Sequence, residues 1–223
     1  KTNIILISIN KKNLMNIKKR FNSKNIETYV CDVLKEKNLK KFFINLKKRY
    51  NKVDAIICNV GSGSFKNKYI LNQNEWNDVI FQNFIPTTNV IENYFNFFHN
   101  KKNICKIIVI SSIAGHFSGN APFSYSLAKN MLMQYVKHIS IFMSKNNILI
   151  NSISPGHIMS KGNNWYKKLM SEPKKVKKIK NTKISLKRFC TPDDIANYIN
   201  YLIYYDKDYI SGTDLKIDGI TIN

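Results

Sequence analysis

Short apolar runs alternate along the chain with amphipathic segments, and this alternation predicts the secondary structure. Runs such as IILIS at 4–8 are continuous, short and rich in isoleucine, as buried parallel strands are. Between such runs, apolar residues recur at helical spacing, for example Leu39, Phe43 and Leu46. The pattern predicts strands at 2–8, 26–33, 54–60, 105–112, 148–154 and 212–218. It predicts helices at 10–25, 35–53, 74–98, 125–146 and 191–205.

The order of these elements predicts an α/β protein. Strands that alternate with helices at this spacing form a parallel sheet with helices on both faces. Right-handed crossovers then give a doubly wound, Rossmann-type sheet whose ligands bind at the carboxyl ends of the strands. The last helix carries a start signal, because Thr191 is a good N-cap and Pro192 suits the first helical position. We find neither a linker nor a repeat, and we predict one domain over residues 1–223.

The net charge is extreme, at +22 from 36 Lys and Arg against 14 Asp and Glu in 223 residues. Such a charge is typical of proteins that bind nucleic acid, an anionic surface or an anionic substrate. Lysine and asparagine are abundant along the whole chain, however, and we favour a compositional bias as the main cause. Because no basic cluster is interleaved with base-stacking aromatics, we do not expect specific nucleic-acid binding.

The cysteines and the apolar runs bear on the compartment. Cys31, Cys58, Cys105 and Cys190 are widely spaced and form neither a CxxC pair nor a Cys/His ligand pattern. Thiols of this kind fit a reducing compartment, and we predict no metal site. No apolar run has the length of a membrane helix. We therefore expect a cytoplasmic protein without a membrane partner.

The segment from Ser111 to Leu132 contains the strongest indication of chemistry. Tyr125 and Lys129 are four residues apart, so on a helix they point to the same side. A free tyrosine has a pKa of about 10, too high for easy proton exchange at neutral pH. A neighbouring ammonium stabilises the phenolate and lowers that pKa, which makes the pair a candidate general acid and base. The alternative is an amphipathic helix whose tyrosine packs and whose lysine is solvated.

Other residues around this pair resemble the short-chain dehydrogenase/reductase family, and the resemblance extends over nearly the whole chain. Ser112 precedes Tyr125 at the family's spacing, and Asn83 in WNDVIFQNF matches the asparagine of its catalytic tetrad. NSISPGHIMS matches the Pro-Gly segment beside the nicotinamide. The final third, with LKRFCTPDDIANYINYLI and YISGTDLKIDG, is similar to 3-oxoacyl-acyl-carrier-protein reductases.

The resemblance implies a role for each of these residues in carbonyl reduction. Tyr125 is expected to act as the general acid and base, and Ser112 to bind the substrate oxygen. Lys129 also holds the nicotinamide ribose, and Asn83 supports a water that relays protons. The implied cofactor-binding residues are Asp32, Val33, Asn59, Val60, Gly61, Tyr125, Lys129, Pro155, Gly156, Ile158 and Ser160. In the turn CNVG, Val60 replaces the usual alanine and Cys58 the first asparagine.

The stretch after the first predicted strand bears on the choice of cofactor. An acidic residue there suits the ribose 2′-hydroxyl of NAD, whereas basic residues suit the 2′-phosphate of NADP. The stretch from Ser8 to Lys12 contains two lysines and no acid. We therefore expect NADP(H) rather than NAD(H), although Ile9 replaces the arginine that is common in NADP users.

The glycine-rich turn that binds the pyrophosphate in this family is missing, since no glycine precedes Gly61. The first apolar run resembles the family's second strand rather than its first. We therefore expect that the sequence lacks an N-terminal strand–loop–helix unit of roughly 30 residues. Because the family's first strand is central in the sheet, its loss is expected to separate the two following strands from the rest.

A local excess of positive charge lies between Ser160 and Arg188, where eleven Lys or Arg stand against one Glu. In the family this region covers the substrate. The excess favours an anionic substrate, such as a thioester on an acidic carrier protein or a nucleotide-linked sugar, with Arg188 as the docking residue. The alternative is a solvated lid in a lysine-rich protein.

These observations predict an NAD(P)H-dependent carbonyl reductase or alcohol dehydrogenase, close to the 3-oxoacyl-carrier-protein reductases of fatty acid biosynthesis. One alternative is a sugar or other small-molecule oxidoreductase of the same family. Another is a non-catalytic remnant that binds nucleic acid or other anions. The resemblance also implies a homodimer or homotetramer.

Overall fold

The computed structural model describes residues 2–100, 102–117, 119 and 121–222, as alternating strands and helices. The strands are β1 (Ile4–Ser8), β2 (Ile26–Val30), β3 (Ala55–Cys58), β4 (Cys105–Ile110), β5 (Ile148–Pro155) and β6 (Asp214–Ile217). The helices are α1 (Lys11–Phe21), α2 (Glu36–Arg49), α3 (Gln73–Asn83), α4 (Ile85–Phe98), α5 (Phe123–Ser144), α6 (Asn164–Ser171), α7 (Pro173–Lys183) and α8 (Pro192–Tyr204). A 3-10 turn, Ile113–Gly115, lies between β4 and α5.

Each strand and helix predicted from the apolar pattern is present, with one difference. The helix predicted at 74–98 is two helices, α3 and α4, which are separated at Phe84. Pro86 explains the break, because proline has no N–H to donate and its ring clashes with the carbonyl four residues earlier. None of the helices in the described ranges combines the length and the apolar character that crossing a membrane requires.

All strand pairs are parallel, and the strands form two sheets. β1 pairs with β2, with Ile4 opposite Ile26. The second sheet has the order β3-β4-β5-β6. The alternation of parallel strands with helices confirms the predicted α/β, Rossmann-type class.

Residues contact one another in two compact units. The first comprises Lys1–Lys52 and Thr88–His99, and the second comprises Val53–Thr87 and Asn100–Asn223. In the first unit, Leu39 is fully buried and Phe43 lies 6.3 Å from Phe97 and 6.2 Å from Phe98, ring centre to ring centre. The prediction of one domain over residues 1–223 stays a prediction.

The core of the second unit lies along β4 and β5, whose side chains are the most completely buried. Ile108 and Ile153 have no exposed surface, and they pack with Ile195 and Leu202 of α8. Burying aliphatic side chains of this size contributes about 1.5–3 kcal/mol each. These contacts hold the middle of the sheet rigid, so its carboxyl ends form a fixed platform.

The predicted start of α8 is confirmed by its hydrogen bonds. The Thr191 hydroxyl accepts from the Asp194 backbone N–H at 3.2 Å, and the Asp194 carboxylate accepts from the Thr191 N–H at 2.8 Å. This reciprocal pair satisfies two N–H groups that a helix start leaves open. Pro192 occupies the first helical position.

A carboxylate with four donors stabilises the first unit. Glu27 accepts from both Arg49 nitrogens, at 2.6 and 2.7 Å, and from the hydroxyls of Tyr50 at 2.7 Å and Tyr29 at 3.0 Å. These bonds, that of Arg49 above all, lower the pKa of Glu27 from 4.5 to about 2. The carboxylate therefore stabilises the folded state as long as it is ionised.

We predict that Glu27→Gln lowers the free energy of unfolding at pH 7 by about 1 kcal/mol, the upper end for partly exposed ion pairs. The loss should be full above pH 4.5 and should shrink as the pH falls towards 2, because the lowered pKa stabilises only the ionised form. Urea unfolding at several pH values measures it. Glu92→Gln, at an exposed glutamate of α4, is the control. An equal loss at pH 7 and pH 2 would contradict the assignment.

Candidate active site

The predicted catalytic residues lie in the second unit, on elements that follow the carboxyl ends of its strands. Ser112 comes two residues after β4, and Tyr125 and Lys129 lie in the first two turns of α5. Asn83 is the last residue of α3. Of the implied cofactor-binding residues, Asn59, Val60 and Gly61 follow β3, whereas Pro155, Gly156, Ile158 and Ser160 lie at and after the end of β5. Asp32 and Val33 belong to the first unit, after β2.

Ser112 begins the 3-10 turn, and the turn is attached to α5. The Ser112 hydroxyl accepts from the Ala114 N–H at 3.2 Å. At the end of the turn, the Gly115 carbonyl accepts from the Asn130 side-chain amide at 2.9 Å. A Cβ at Gly115 would lie 2.7 Å from the Asn130 backbone nitrogen, so only glycine permits this approach. The segment that carries Ser112 is therefore held directly against the helix that carries Tyr125.

Tyr125 is half-buried, and burial raises the pKa of its phenol. A hydrogen bond with Ser112 acts in the opposite direction but is the smaller effect. The lowering that the sequence predicts from Lys129 is not found. The Lys129 ammonium lies 5.9 Å from the centre of the Tyr125 ring, and burial of the phenol sets the direction of the pKa shift. Tyr125 thus keeps its proton at neutral pH.

Lys129 places an ammonium group inside the protein. The residue is only 5% exposed, and its Nζ donates to the Ile110 carbonyl at 3.0 Å. Burial lowers the pKa of Lys129 from 10.5 to about 8. An ammonium has three N–H donors, so the bond to Ile110 leaves two for other oxygen atoms.

Asn83 is fully buried, and its amide fixes the turn after β3. Its Oδ1 accepts from the Ser62 N–H at 2.9 Å, and its Nδ2 donates to the Val79 carbonyl at 3.2 Å. A Cβ at Gly61 would lie 2.9 Å from the Asn83 Oδ1 and 3.1 Å from the Lys129 Nζ. The NVGSG turn, Asn83 and Lys129 therefore meet at one point, which the spacing along the chain did not reveal.

The residues around Lys129 fit the nicotinamide end of a dinucleotide. The buried ammonium retains donors for a ribose, and Gly61 lets the turn after β3 pass close to it, since a Cβ there would lie 3.1 Å from the Lys129 Nζ. Gly156 packs tightly as well, because a Cβ there would lie 2.7 Å from the Asp218 Cα. For the pyrophosphate the fit is incomplete, since residues 1–60 contain no glycine from which a phosphate-binding turn is built.

Two polar contacts near the site were not foreseen. His116, at the end of the 3-10 turn, bonds to Asp214 of β6 at 2.7 Å. Arg188, the expected docking residue, directs its guanidinium fork at Asp194, at 2.7 and 3.0 Å, so the fork is already engaged within the protein. His116 and Asp214 are 98 positions apart, whereas Arg188 and Asp194 are only six apart. In the sequence, the only indication of either pair was a carboxylate in a predicted strand or at a helix start.

The fold and the site together define a Rossmann-type oxidoreductase with a Ser, Tyr and Lys constellation. A family model described as "Enoyl-(Acyl carrier protein) reductase" matches residues 2–219. The chain therefore belongs to the short-chain dehydrogenase/reductase family and is an NAD(P)-dependent oxidoreductase.

Individual relatives differ in what they act on. The 3-oxoacyl-[acyl-carrier-protein] reductase FabG of Buchnera aphidicola subsp. Baizongia pistaciae is 30% identical over 179 residues, which are 77% of this chain and 67% of the relative. The diacetyl reductase [(S)-acetoin forming] of Staphylococcus epidermidis is 26% identical over 97% of this chain and 88% of the relative. The solved structure of ElxO with NADP bound shares the fold, with a TM-score of 0.86, 23% identity, and coverage of 96% of this chain and 86% of that one.

We predict that Gly61→Ala impairs the oxidoreductase activity, because the added methyl group displaces the Asn83 amide or the Lys129 ammonium. A shift of about 1 Å in a catalytic group costs up to about 100-fold in rate. Gly63→Ala is the matched control, since its Cβ would lie 3.7 Å from the Tyr125 ring, an ordinary contact. Steady-state kinetics of both variants test this, and equal activities would contradict it.

Proposed function

We propose that the protein is an NADP(H)-dependent carbonyl reductase in which Ser112, Tyr125, Lys129 and Asn83 form the catalytic site. The observation that carries the proposal is the buried Lys129 ammonium, which lies on α5 one helical turn from the half-buried Tyr125 phenol and 5.9 Å from the centre of its ring. Burying a charge is costly, and a lysine with a purely structural role would remain solvated.

Tyr125 is the proton donor of the proposed reaction. When bound, NADPH would supply the hydride that reduces the carbonyl carbon. As the carbonyl oxygen gains negative charge, Ser112 donates a hydrogen bond to it and the Tyr125 O–H transfers its proton, which yields the alcohol and a phenolate. Lys129 then stabilises the phenolate by its charge. The raised pKa of Tyr125 supports proton transfer from the phenol to the substrate, because the phenol is protonated when the substrate binds.

Asn83 acts on the site through the turn that it holds. Its Oδ1 is bonded to the Ser62 N–H, so the amide fixes the turn that passes Lys129 at Gly61 and Tyr125 at Gly63. We assign Asn83 the role of keeping that turn in place, alongside the water relay that the family resemblance implies. Within the second unit, the residues proposed to hold the nicotinamide half of the cofactor are Asn59, Val60, Gly61, Pro155, Gly156, Ile158 and Ser160. For Asp32 and Val33 of the first unit, an adenine contact remains what the family resemblance implies.

The preference for NADP(H) is supported by the start of α1. Lys11 and Lys12 open this helix, and no acidic residue lies in its first turn. Asn10 caps the helix by accepting from the Asn13 N–H at 2.9 Å. Positive side chains at a helix N-terminus attract the 2′-phosphate of NADP(H). The 2′-hydroxyl of NAD(H), in contrast, would lack the carboxylate that usually accepts its hydrogen bond. The solved structure of ElxO has NADP bound, in line with this assignment.

The proposed substrate is a carbonyl compound attached to an anionic group. Four lysines of α7 are exposed: Lys174, Lys175, Lys177 and Lys178. With Arg188 engaged by Asp194, these lysines are better placed than Arg188 to attract an acidic carrier protein. The FabG relatives support a 3-oxoacyl thioester of this kind, and hence a place in fatty acid biosynthesis. Diacetyl reductase, matched over more of its length, supports a small uncharged carbonyl as the second candidate.

We further propose that the protein works in the cytoplasm as a homodimer or homotetramer. Large apolar side chains are exposed on α3 and α5, namely Phe81, Leu127 and Ile141. A second copy of the chain would cover such a surface. Sedimentation of the full-length protein measures the state directly.

The decisive experiment combines binding and turnover on the full-length protein. We expect NADPH to bind in a fluorescence titration, and a 3-oxoacyl thioester to be reduced faster than diacetyl. Tyr125→Phe should retain NADPH binding and lose activity by about 100-fold or more. Tyr198→Phe, at an exposed tyrosine of α8, is the control. Absence of NADPH binding, together with DNA binding that falls steeply with salt, would favour the non-catalytic alternative.

The pKa of Lys129 gives a pH prediction. Lys129 is charged below its pKa of about 8 and loses its proton as the pH rises through that value. If the ammonium holds the cofactor ribose, NADPH binding is constant below pH 8 and weakens above it. Lys129→Met should bind NADPH more weakly at pH 7, and its affinity should not change in slope near pH 8. Tyr125→Phe should keep the decline in NADPH affinity above pH 8. A decline that survives Lys129→Met would contradict the assignment.

A further inference from the structure

A polar network joins the turn that carries Ser112 to strand β6. Asp214 of β6 stands at its centre. Its Oδ1 accepts from the Ser154 hydroxyl at 2.9 Å and from the Ser152 hydroxyl, and its Oδ2 bonds to the His116 Nε2 at 2.7 Å. Both serines belong to β5 and have no exposed surface. The network therefore connects β5, β6 and the 3-10 turn.

The hydrogen bonds fix the direction of donation in this network. An ionised carboxylate only accepts, and two buried hydroxyls already donate to Asp214. The His116 Nε2 must therefore carry the proton of the bond to Oδ2. A bond of 2.7 Å to a carboxylate is charge-assisted and stronger than one between neutral groups. The side chains of His116 and Asp214 are 26% and 15% exposed, so water competes little for this contact.

His116 holds the end of the turn that Ser112 begins. The Gly115 N–H donates to the Ser112 carbonyl and the His116 N–H to the Ile113 carbonyl, both at 3.0 Å. One attachment of the turn runs to α5, through the Asn130 amide. The other runs through His116 to Asp214. Without the bond to Asp214, the C-terminal end of the turn keeps only its attachment to α5, and the Ser112 hydroxyl, which accepts from the Ala114 N–H within the turn, is less firmly oriented.

We propose that His116 is a positioning residue, which through its bond to Asp214 holds Ser112 in the orientation that the substrate oxygen requires. This inference rests on the proposed function, since it assigns His116 a role in the same reaction. His116 itself touches neither the phenol nor the ammonium in the contacts of the described residues. Its effect must therefore pass through Ser112.

Kinetics of His116→Ala in the full-length protein test the proposal, with NADPH and a 3-oxoacyl thioester. We expect kcat to fall about tenfold or more, on the scale that a misplaced catalytic group costs. The dissociation constant of NADPH should stay unchanged, because Lys129 is untouched. His116→Gln should recover part of kcat, since its amide can donate to Asp214. His138→Ala, at an exposed histidine of α5, is the matched control and should leave kcat as it is.

A double variant separates positioning from general destabilisation. If His116 acts through Ser112, then His116→Ala has no further effect on kcat in a Ser112→Ala background. An equal fold-loss in both backgrounds, or an unchanged kcat in His116→Ala, would overturn the inference and leave the proposed function standing. An inactive wild-type protein would overturn the proposed function and the inference together. Thermal unfolding of each variant identifies one that fails to fold, and His116→Gln then decides.

Discussion

The burial of the Lys129 ammonium is the constraint on which the arrangement of the site depends. A charge inside a protein must be compensated, and the Ile110 carbonyl at the end of β4 provides one acceptor. The neighbouring Ser111 hydroxyl donates to the Lys129 backbone carbonyl at 2.8 Å, and Gly115 lies directly against the same turn of α5. The end of β4, the 3-10 turn and the start of α5 therefore form one rigid assembly around a single cation.

Much of this arrangement is predictable from local patterns. The isoleucine-rich runs predict the strands because a strand buried on both faces has no polar positions. The four-residue spacing of Tyr125 and Lys129 places them on one side of a helix wherever that helix lies. The family resemblance then adds Ser112 and Asn83, which no periodicity connects to this pair.

Other features depend on contacts between residues far apart in sequence, and no local pattern reveals them. The bond from His116 to Asp214 joins residues 98 positions apart, and nothing in the sequence around either residue indicates that they pair. The upward shift of the Tyr125 pKa is caused by burial of the phenol, and the sequence shows the neighbouring lysine but not the burial. The pairing of Arg188 with Asp194 is a short-range contact, over six positions, and it was missed because the sequence shows the two charges but not the direction of the guanidinium.

The pairing of Arg188 with Asp194 has a consequence for selectivity. With Arg188 engaged, the cations that remain available in this region are the lysines of α7. A lysine ammonium is a strongly hydrated point charge on a flexible side chain and lacks the planar fork of a guanidinium. Such a surface accelerates the encounter with any anion in a manner that weakens as salt screens it, but it imposes no orientation. If the proposed site around Ser112 and Tyr125 is correct, discrimination between substrates depends on the residues that surround it, and substitutions there would alter specificity without altering the attraction of anions to α7.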